Sequence, residues 1–252
     1  VHTGVLQAIL TSTQEGPGGI GAISYSPDGR WLLSLQDDRT VTVWDVDTQS
    51  ATFGEIIQQW MYTDYGYLHT VLFGADNQSA YVTSDNGTVL MINVFTGDII
   101  REFGGADAVV VAIDLSPDNR HLLGGTISGA LIEWDVETGQ ETRQFTGQPE
   151  RMVGLRYSPD GHYVFVGSLS HATTMYELAT GKPIRHFAGI GVLISPDGRY
   201  LFNSSDLANV NQWRIDTLPE LLDWTRANRY VRDLTCEERA QYRIEPLCEA
   251  GG

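Results

Sequence analysis

Five acidic residues recur in one local context: Asp28 in SPDGR, Asp76 in GADNQ, Asp118 in SPDNR, Asp160 in SPDGH and Asp197 in SPDGR. Carboxylates can do acid–base work or hydrolyse glycosides when two of them sit within about 5 to 10 Å of each other. Other stretches invite chemistry as well. GPGGIG at 16–21 has the spacing of a dinucleotide-binding loop, but AISYSPDG follows it. That is a strand and a turn, where a pyrophosphate needs a helix N-terminus. GSLSH at 167–171 lacks the second glycine of a nucleophile elbow and joins two strands, not a strand and a helix. The histidines (His2, His69, His121, His162, His171, His186) are scattered, with no i, i+4 pair for a helical zinc site. Cys236 and Cys248 cannot complete a tetrahedral site alone. A structural thiol, a thiolate at a helix start and a disulfide between the two all fit them. No catalytic, metal-binding or cofactor-binding residue is assigned.

The elements carrying the five acids explain them. Ser26, Gly74, Ser116, Ser158 and Ser195 open the turns, and an anchor follows each 18 residues later, at Trp44, Ile92, Trp134, Tyr176 and Trp213. The gaps from anchor to next turn vary: 30, 24, 24 and 19 residues. Three antiparallel strands share a register that tolerates no insertion, whereas a surface connection tolerates several residues. Each unit is therefore predicted as IGAISY-like strand, turn, WLLSL-like strand, turn, and a third strand ending near the anchor. TGDIIREF (96–103) and TGQETRQF (138–145) supply a polar fourth strand for the outer edge. The acids then fall one per unit, on different units, in positions where proline presets φ and glycine or Asn accepts positive φ. They are turn residues and do not converge as a pair.

Composition agrees. Aromatic residues make up 10% and charged residues 19%, and helix-periodic segments are scarce before Thr217, so the expected class is all-β. A formal charge of −16 repels nucleic acid and acidic membranes, which excludes both as main partners. The longest apolar run, AVVVAI (108–113), is far below the roughly 18 residues of a spanning helix. VHTGVLQAIL has neither the basic start nor the long apolar centre of a signal peptide. With both cysteines in the tail, a reducing, cytoplasmic location is expected.

SPDGRWLLSLQDDRTVTVWDV (26–46) and SPDNRHLLGGTISGALIEWDVETG (116–139) resemble repeats of the WD-repeat β-propeller family, over residues 1 to about 215. The resemblance implies four-stranded blades, five in this chain, in a domain spanning 1–216. It also implies a hydrogen-bonded set on Asp38 and Trp44, with Trp134 and Trp213 as further blade anchors. The position six before the anchor reads Asp38, Asn86, Ser128, Ser170 and Leu207, so only the first blade keeps both members. VHTGVLQAIL aligns with VETGQETRQF (136–145), so residues 5–10 are expected to form a fourth strand that closes or continues the ring. The family often has seven blades, and the parent protein is expected to carry further blades upstream.

Two features depart from the repeat. The connection EIIQQWMYTDYGYLH (55–69) is six residues longer than its later counterparts and carries Trp60, Met61, Tyr62, Tyr65 and Tyr67. Such rings serve as interface hot spots or fold over their own blade. The segment 217–252 has two S/T-x-x-E capping boxes, at Thr217 with Glu220 and Thr235 with Glu238, which predict helices beginning near Leu218 and Cys236. It resembles the tails of multidomain bacterial WD-repeat proteins. The expected function is a non-enzymatic scaffold or sensor module that binds a protein partner or an upstream domain of the same polypeptide. The alternatives are a propeller hydrolase and an extracellular recognition propeller. Against the hydrolase, Asp114 is the sole acid in the predicted first strands.

Overall fold

A computed structural model describes residues 8–11, 19–104, 108–146, 151–170, 172–204, 209–216, 223 and 226–227. The strands form sequential antiparallel meanders. Blade 1 is β1 (Ile20–Tyr25), β2 (Trp31–Gln36), β3 (Thr40–Asp45) and β4 (Ile56–Met61). Blade 2 is β5 (Leu68–Phe73), β6 (Ser79–Ser84), β7 (Val89–Asn93) and β8 (Ile99–Phe103). Blade 3 is β9 (Val110–Leu115), β10 (His121–Thr126), β11 (Ala130–Asp135) and β12 (Glu141–Thr146). Blade 4 is β13 (Met152–Tyr157), β14 (Tyr163–Ser168), β15 (Ala172–Glu177) and β16 (Lys182–Ala188). Blade 5 has three strands: β17 (Ile190–Ile194), β18 (Tyr200–Ser204) and β19 (Val210–Arg214). The first strands β1, β5, β9, β13 and β17 pack in that order.

The turns that raised the question of chemistry are built from their own atoms. Ser26 Oγ donates to Asp28 Oδ1 at 2.5 Å, Asp28 Oδ1 accepts the Arg30 N–H, and Ser26 Oγ accepts the Trp31 N–H. The pattern repeats at Ser116 with Asp118, Ser158 with Asp160, and Ser195 with Asp197. In blade 2, Asp76 accepts instead from the amides of Gln78 and Ser79. Positive φ falls at Gly29, Asn77, Asn119, Gly161 and Gly198, as this turn chemistry requires. The serine hydroxyl, seconded by a backbone amide, holds Asp28, Asp118 and Asp197 below the ordinary carboxylate range.

The core is a series of seams between consecutive blades. Leu33, Leu35, Val41 and Val43 of blade 1 meet Leu68, Val71, Phe73 and Val82 of blade 2. Phe103 and Tyr81 meet Trp134 and Ile113 at the second seam, and Leu123 and Leu131 meet Leu155 and Val166 at the third. Each of these three seams also carries a polar bond from a fourth strand to the backbone just after the next blade's anchor. Trp60 Nε1 donates to the Val94 carbonyl at 3.0 Å, Arg101 donates to the Val136 carbonyl at 2.8 Å, and Arg143 donates to the Leu178 carbonyl. Those acceptors are spaced 42 residues apart.

The anchors hold their blades in three ways. Trp44 donates to Ser34 Oγ at 2.8 Å, and Trp213 donates to Asn203 Oδ1 at 3.1 Å. Trp134 has glycine at the corresponding place, Gly124, and donates to the Gly104 carbonyl instead. Asp38 does not join Trp44. Its carboxylate accepts the Thr40 N–H two residues on and so caps its own turn.

The chain divides into two units, Val1–Trp213 and Arg214–Gly252. In the second, Asp223, Arg226 and Ala227 are helical, and Arg226 pairs with Asp223. The expected helix starts, both cysteines and the expected strand at residues 5–7 lie outside the described residues. Ala8, Ile9 and Leu10 are described, and they are not strand.

Candidate interaction face

One end of the blades carries the SPDG turns. The other carries the turns between second and third strands and the connections from one blade to the next. At that second end, four residues occupy one structural position. Asp37, Asp85, Ile127 and Leu169 each donate a backbone N–H to the residue preceding, or nearly preceding, their blade's first strand: Gly19, Tyr67, Val109 and Arg151. The backbone is the same and the side chains differ. Asp37 accepts the Gly19 amide, and Asp85 accepts the Tyr67 amide and meets His69 Nε2 at 2.6 Å. Ile127 and Leu169 are exposed and bind nothing polar. A cavity of about 440 Å³ opens beside Leu169, lined also by His69, Val111, Arg151, Met152 and Val153. Blades 3 and 4 therefore present an apolar surface where blades 1 and 2 present carboxylates. Exposed apolar groups rimmed by polar ones are what protein partners cover.

The aromatic segment at 55–69 divides. Ile56–Met61 is the strand β4, and a 3-10 turn follows at Thr63–Tyr65. Two of its five rings and chains turn inward. Trp60 lies on Gly97, where a Cβ would come within 2.4 Å of the indole. Tyr62 is buried in the first seam, donates to the Gly97 carbonyl at 3.0 Å, and has its hydroxyl pushed up to about 12 by burial. Tyr65 is half-buried, and its hydroxyl donates to Glu102. Met61 and Tyr67 are exposed. Of the two readings open for this segment, Trp60 and Tyr62 follow the one that folds over the blades, because the position aligned with Phe103 and the residue after β4 are both used by the seam.

A second cavity, of about 320 Å³, lies at the SPDG end between blades 3 and 4. Glu133, 5% exposed, stands there where blades 1, 2 and 4 carry Val43, Met91 and Met175 and blade 5 carries Gln212. Arg143 Nη2 pairs with it at 2.9 Å, and the Tyr157 hydroxyl and Thr142 Oγ1 also donate to it. Burial, and then Glu133, raise the Tyr157 hydroxyl above its ordinary range and keep it protonated. The carboxylate is neutralised and satisfied, so the cluster joins two blades. On β9, burial pushes Asp114 up to about 6, while Arg156 and the Tyr157 amide draw it down. Its Oδ2 accepts that amide at 2.8 Å, and Arg156 stands 3.8 Å away. Among the described residues no three His, Cys, Asp or Glu side chains group as a metal site, and no helix is long and apolar enough to cross a membrane.

Residues 8–45 match the family described as WD domain, G-beta repeat. The match runs from the segment before β1 through β3, one repeat of the pattern that the blades continue through Arg214. That match and the repeated four-stranded antiparallel sheets support a WD-repeat, propeller-like family. WD repeats generally mediate protein–protein interaction or scaffolding rather than catalysis. No curated protein matches the chain.

Ile127 and Leu169 escaped sequence reasoning, which looked between units for irregularity. The signal was the aligned column Asp37, Asp85, Ile127, Leu169 and Asp206, where two aliphatic residues interrupt a run of acids.

Proposed function

We propose that this WD-repeat chain is a non-enzymatic docking module whose partner covers the apolar end of blades 3 and 4, with Ile127, Val153 and Leu169 at the centre and Met61 and Tyr67 at the margin. The observation that carries this is the replacement of two backbone-capping aspartates by exposed aliphatic side chains at one repeated position. The partner is a separate protein or an upstream domain of the same polypeptide, and the setting is a cytoplasmic bacterial signalling protein of which this chain is the C-terminal sensor or scaffold part. The tail resemblance supports that setting, and the charge of −16 disfavours nucleic acid and acidic membranes as partners. A carboxylate-pair hydrolase has no support, because each turn acid is hydrogen-bonded into its own turn.

The test is affinity capture with Ile127→Asp/Leu169→Asp. Both side chains are about half exposed, and the same backbone position carries Asp in blades 1 and 2, so the thermal transition moves by no more than about 2 °C while capture falls at least tenfold. Unchanged capture would refute the assignment of this face.

A further inference from the structure

In blades 1 and 2 the repeated aspartate makes a two-bond clasp. Asp37 donates its N–H to the Gly19 carbonyl at 3.1 Å, and its carboxylate accepts the Gly19 amide at 2.8 Å. Asp85 does the same with Tyr67, at 2.9 Å and 3.1 Å. In blade 4 the first bond is kept, from the Leu169 N–H to the Arg151 carbonyl at 3.2 Å, but leucine has no oxygen for the second. The Arg151 amide, standing where those amides stand, has no acceptor among the described residues, and the exposed Arg151 side chain pairs with no carboxylate among them. His69, the other basic group lining the 440 Å³ cavity, is already answered by Asp85 at 2.6 Å. Blade 3 lacks the aspartate as well, but its Val109 carries no charge. A guanidinium and an unclasped N–H therefore stand together only in blade 4, beside the apolar cavity wall of Val111, Met152, Val153 and Leu169.

We infer, resting on the docking of a protein partner at blades 3 and 4, that this partner supplies the missing carboxylate. The segment that covers Ile127 and Leu169 carries an aspartate or glutamate side chain beside apolar ones. Its carboxylate accepts the Arg151 N–H and faces the guanidinium, a charge-assisted contact stronger than a neutral one. Its apolar neighbours lie on Leu169 and Val153 in the cavity. Because the Leu169 N–H is bonded to the Arg151 carbonyl, the two contacts adjoin, so the acidic and apolar side chains come from neighbouring residues of the partner. A run of acids is disfavoured, since Asp37 and Asp85 stand at the same end on blades 1 and 2 and the chain carries a charge of −16. The segment recognised is apolar with a single carboxylate, a selectivity that an apolar surface alone would not set.

The probe is an array of immobilised glycine-serine peptides whose central triplet is leucine-leucine-X, with X aspartate, asparagine or lysine, incubated with the labelled 252-residue chain. Retention of the unaltered chain is expected to be at least about fivefold higher with aspartate than with asparagine, and lowest with lysine. Arg151→Glu reverses the order in favour of lysine. Leu169→Asp, which restores the clasp of blades 1 and 2, removes the preference for aspartate. Circular dichroism verifies the β-signal, and Arg151→Gln, which flattens the preference, replaces Arg151→Glu where that variant loses it. Equal retention with aspartate and asparagine, a preference for aspartate that survives in Arg151→Glu, or retention on none of the peptides overturns the inference. Ile127→Ser/Leu169→Ala separates it from the docking face itself. Retention that this variant abolishes, but that never distinguished aspartate from asparagine, keeps the face and overturns the carboxylate. A preference for aspartate that this variant leaves unchanged keeps the carboxylate seat at Arg151 and overturns the apolar face.

Discussion

Asp114→Asn is the most informative single change to the folded chain. The carboxyl is pushed up from 3.8 to about 6, chiefly by burial, with Arg156 and the Tyr157 amide opposing. An acid whose folded pKa is raised binds its proton more tightly in the native state, so its cost is absent below pH 3.8. The cost grows as pH rises between 3.8 and 6 and is complete above that. The distance from 3.8 to about 6, at about 1.36 kcal/mol for each tenfold change in proton affinity, corresponds to about 3 kcal/mol at neutral pH. Asparagine keeps an oxygen for the Tyr157 amide and cannot ionise, but loses the attraction of Arg156. A net gain of about 1 to 3 kcal/mol is therefore expected at pH 7.5, which for a body of this size is on the order of 2 to 10 °C in the thermal transition. Thermal melts of both proteins from pH 3.5 to 8 should show curves that converge near pH 4 and separate through pH 6. A variant less stable at pH 7.5, or a difference independent of pH, would refute the placement of this carboxyl as a buried cost.

Trp60→Phe should cost about 1 kcal/mol for the lost bond to Val94, and Trp60→Ala at least about 2 kcal/mol as the first seam opens, both read by urea denaturation. Gly124→Ala would set a Cβ 2.6 Å from the Trp134 ring, so about 1 to 3 kcal/mol of overpacking and a shifted tryptophan emission are expected. The depressed pKa of Asp118 contributes stability above pH 3.8 that disappears as pH falls through the lower folded value. Asp118→Asn should therefore flatten the acid limb of a stability–pH curve below about pH 4 and leave fluorescence unchanged.

How far the sequence could be read depended on whether the chemistry was local. The SPDG turns were legible because Ser, Asp and Gly each act within five residues, and the structure shows those bonds in four copies. The strand β4 was hidden in what read as a long connection, although IIQQW (56–60) repeats IIREF (99–103) and could have shown that Trp60 is a fourth-strand seam residue. The Arg101 and Arg143 bonds join residues 35 apart and depend on how neighbouring blades stack, which strand periodicity does not encode. Asp38 has the family's residue type at the family's spacing, yet it satisfies its nearest amide, because the Thr40 N–H is two residues away and Trp44 already has Ser34.

A photo-crosslinking residue placed at Leu169, compared with one at Asp197 on the opposite end of the blades, tests the docking face most directly. The prediction is a protein adduct from position 169 that is lost when Ile127→Asp is added, and none from position 197. Equal adducts from the two positions, or an adduct from 197 alone, would contradict it.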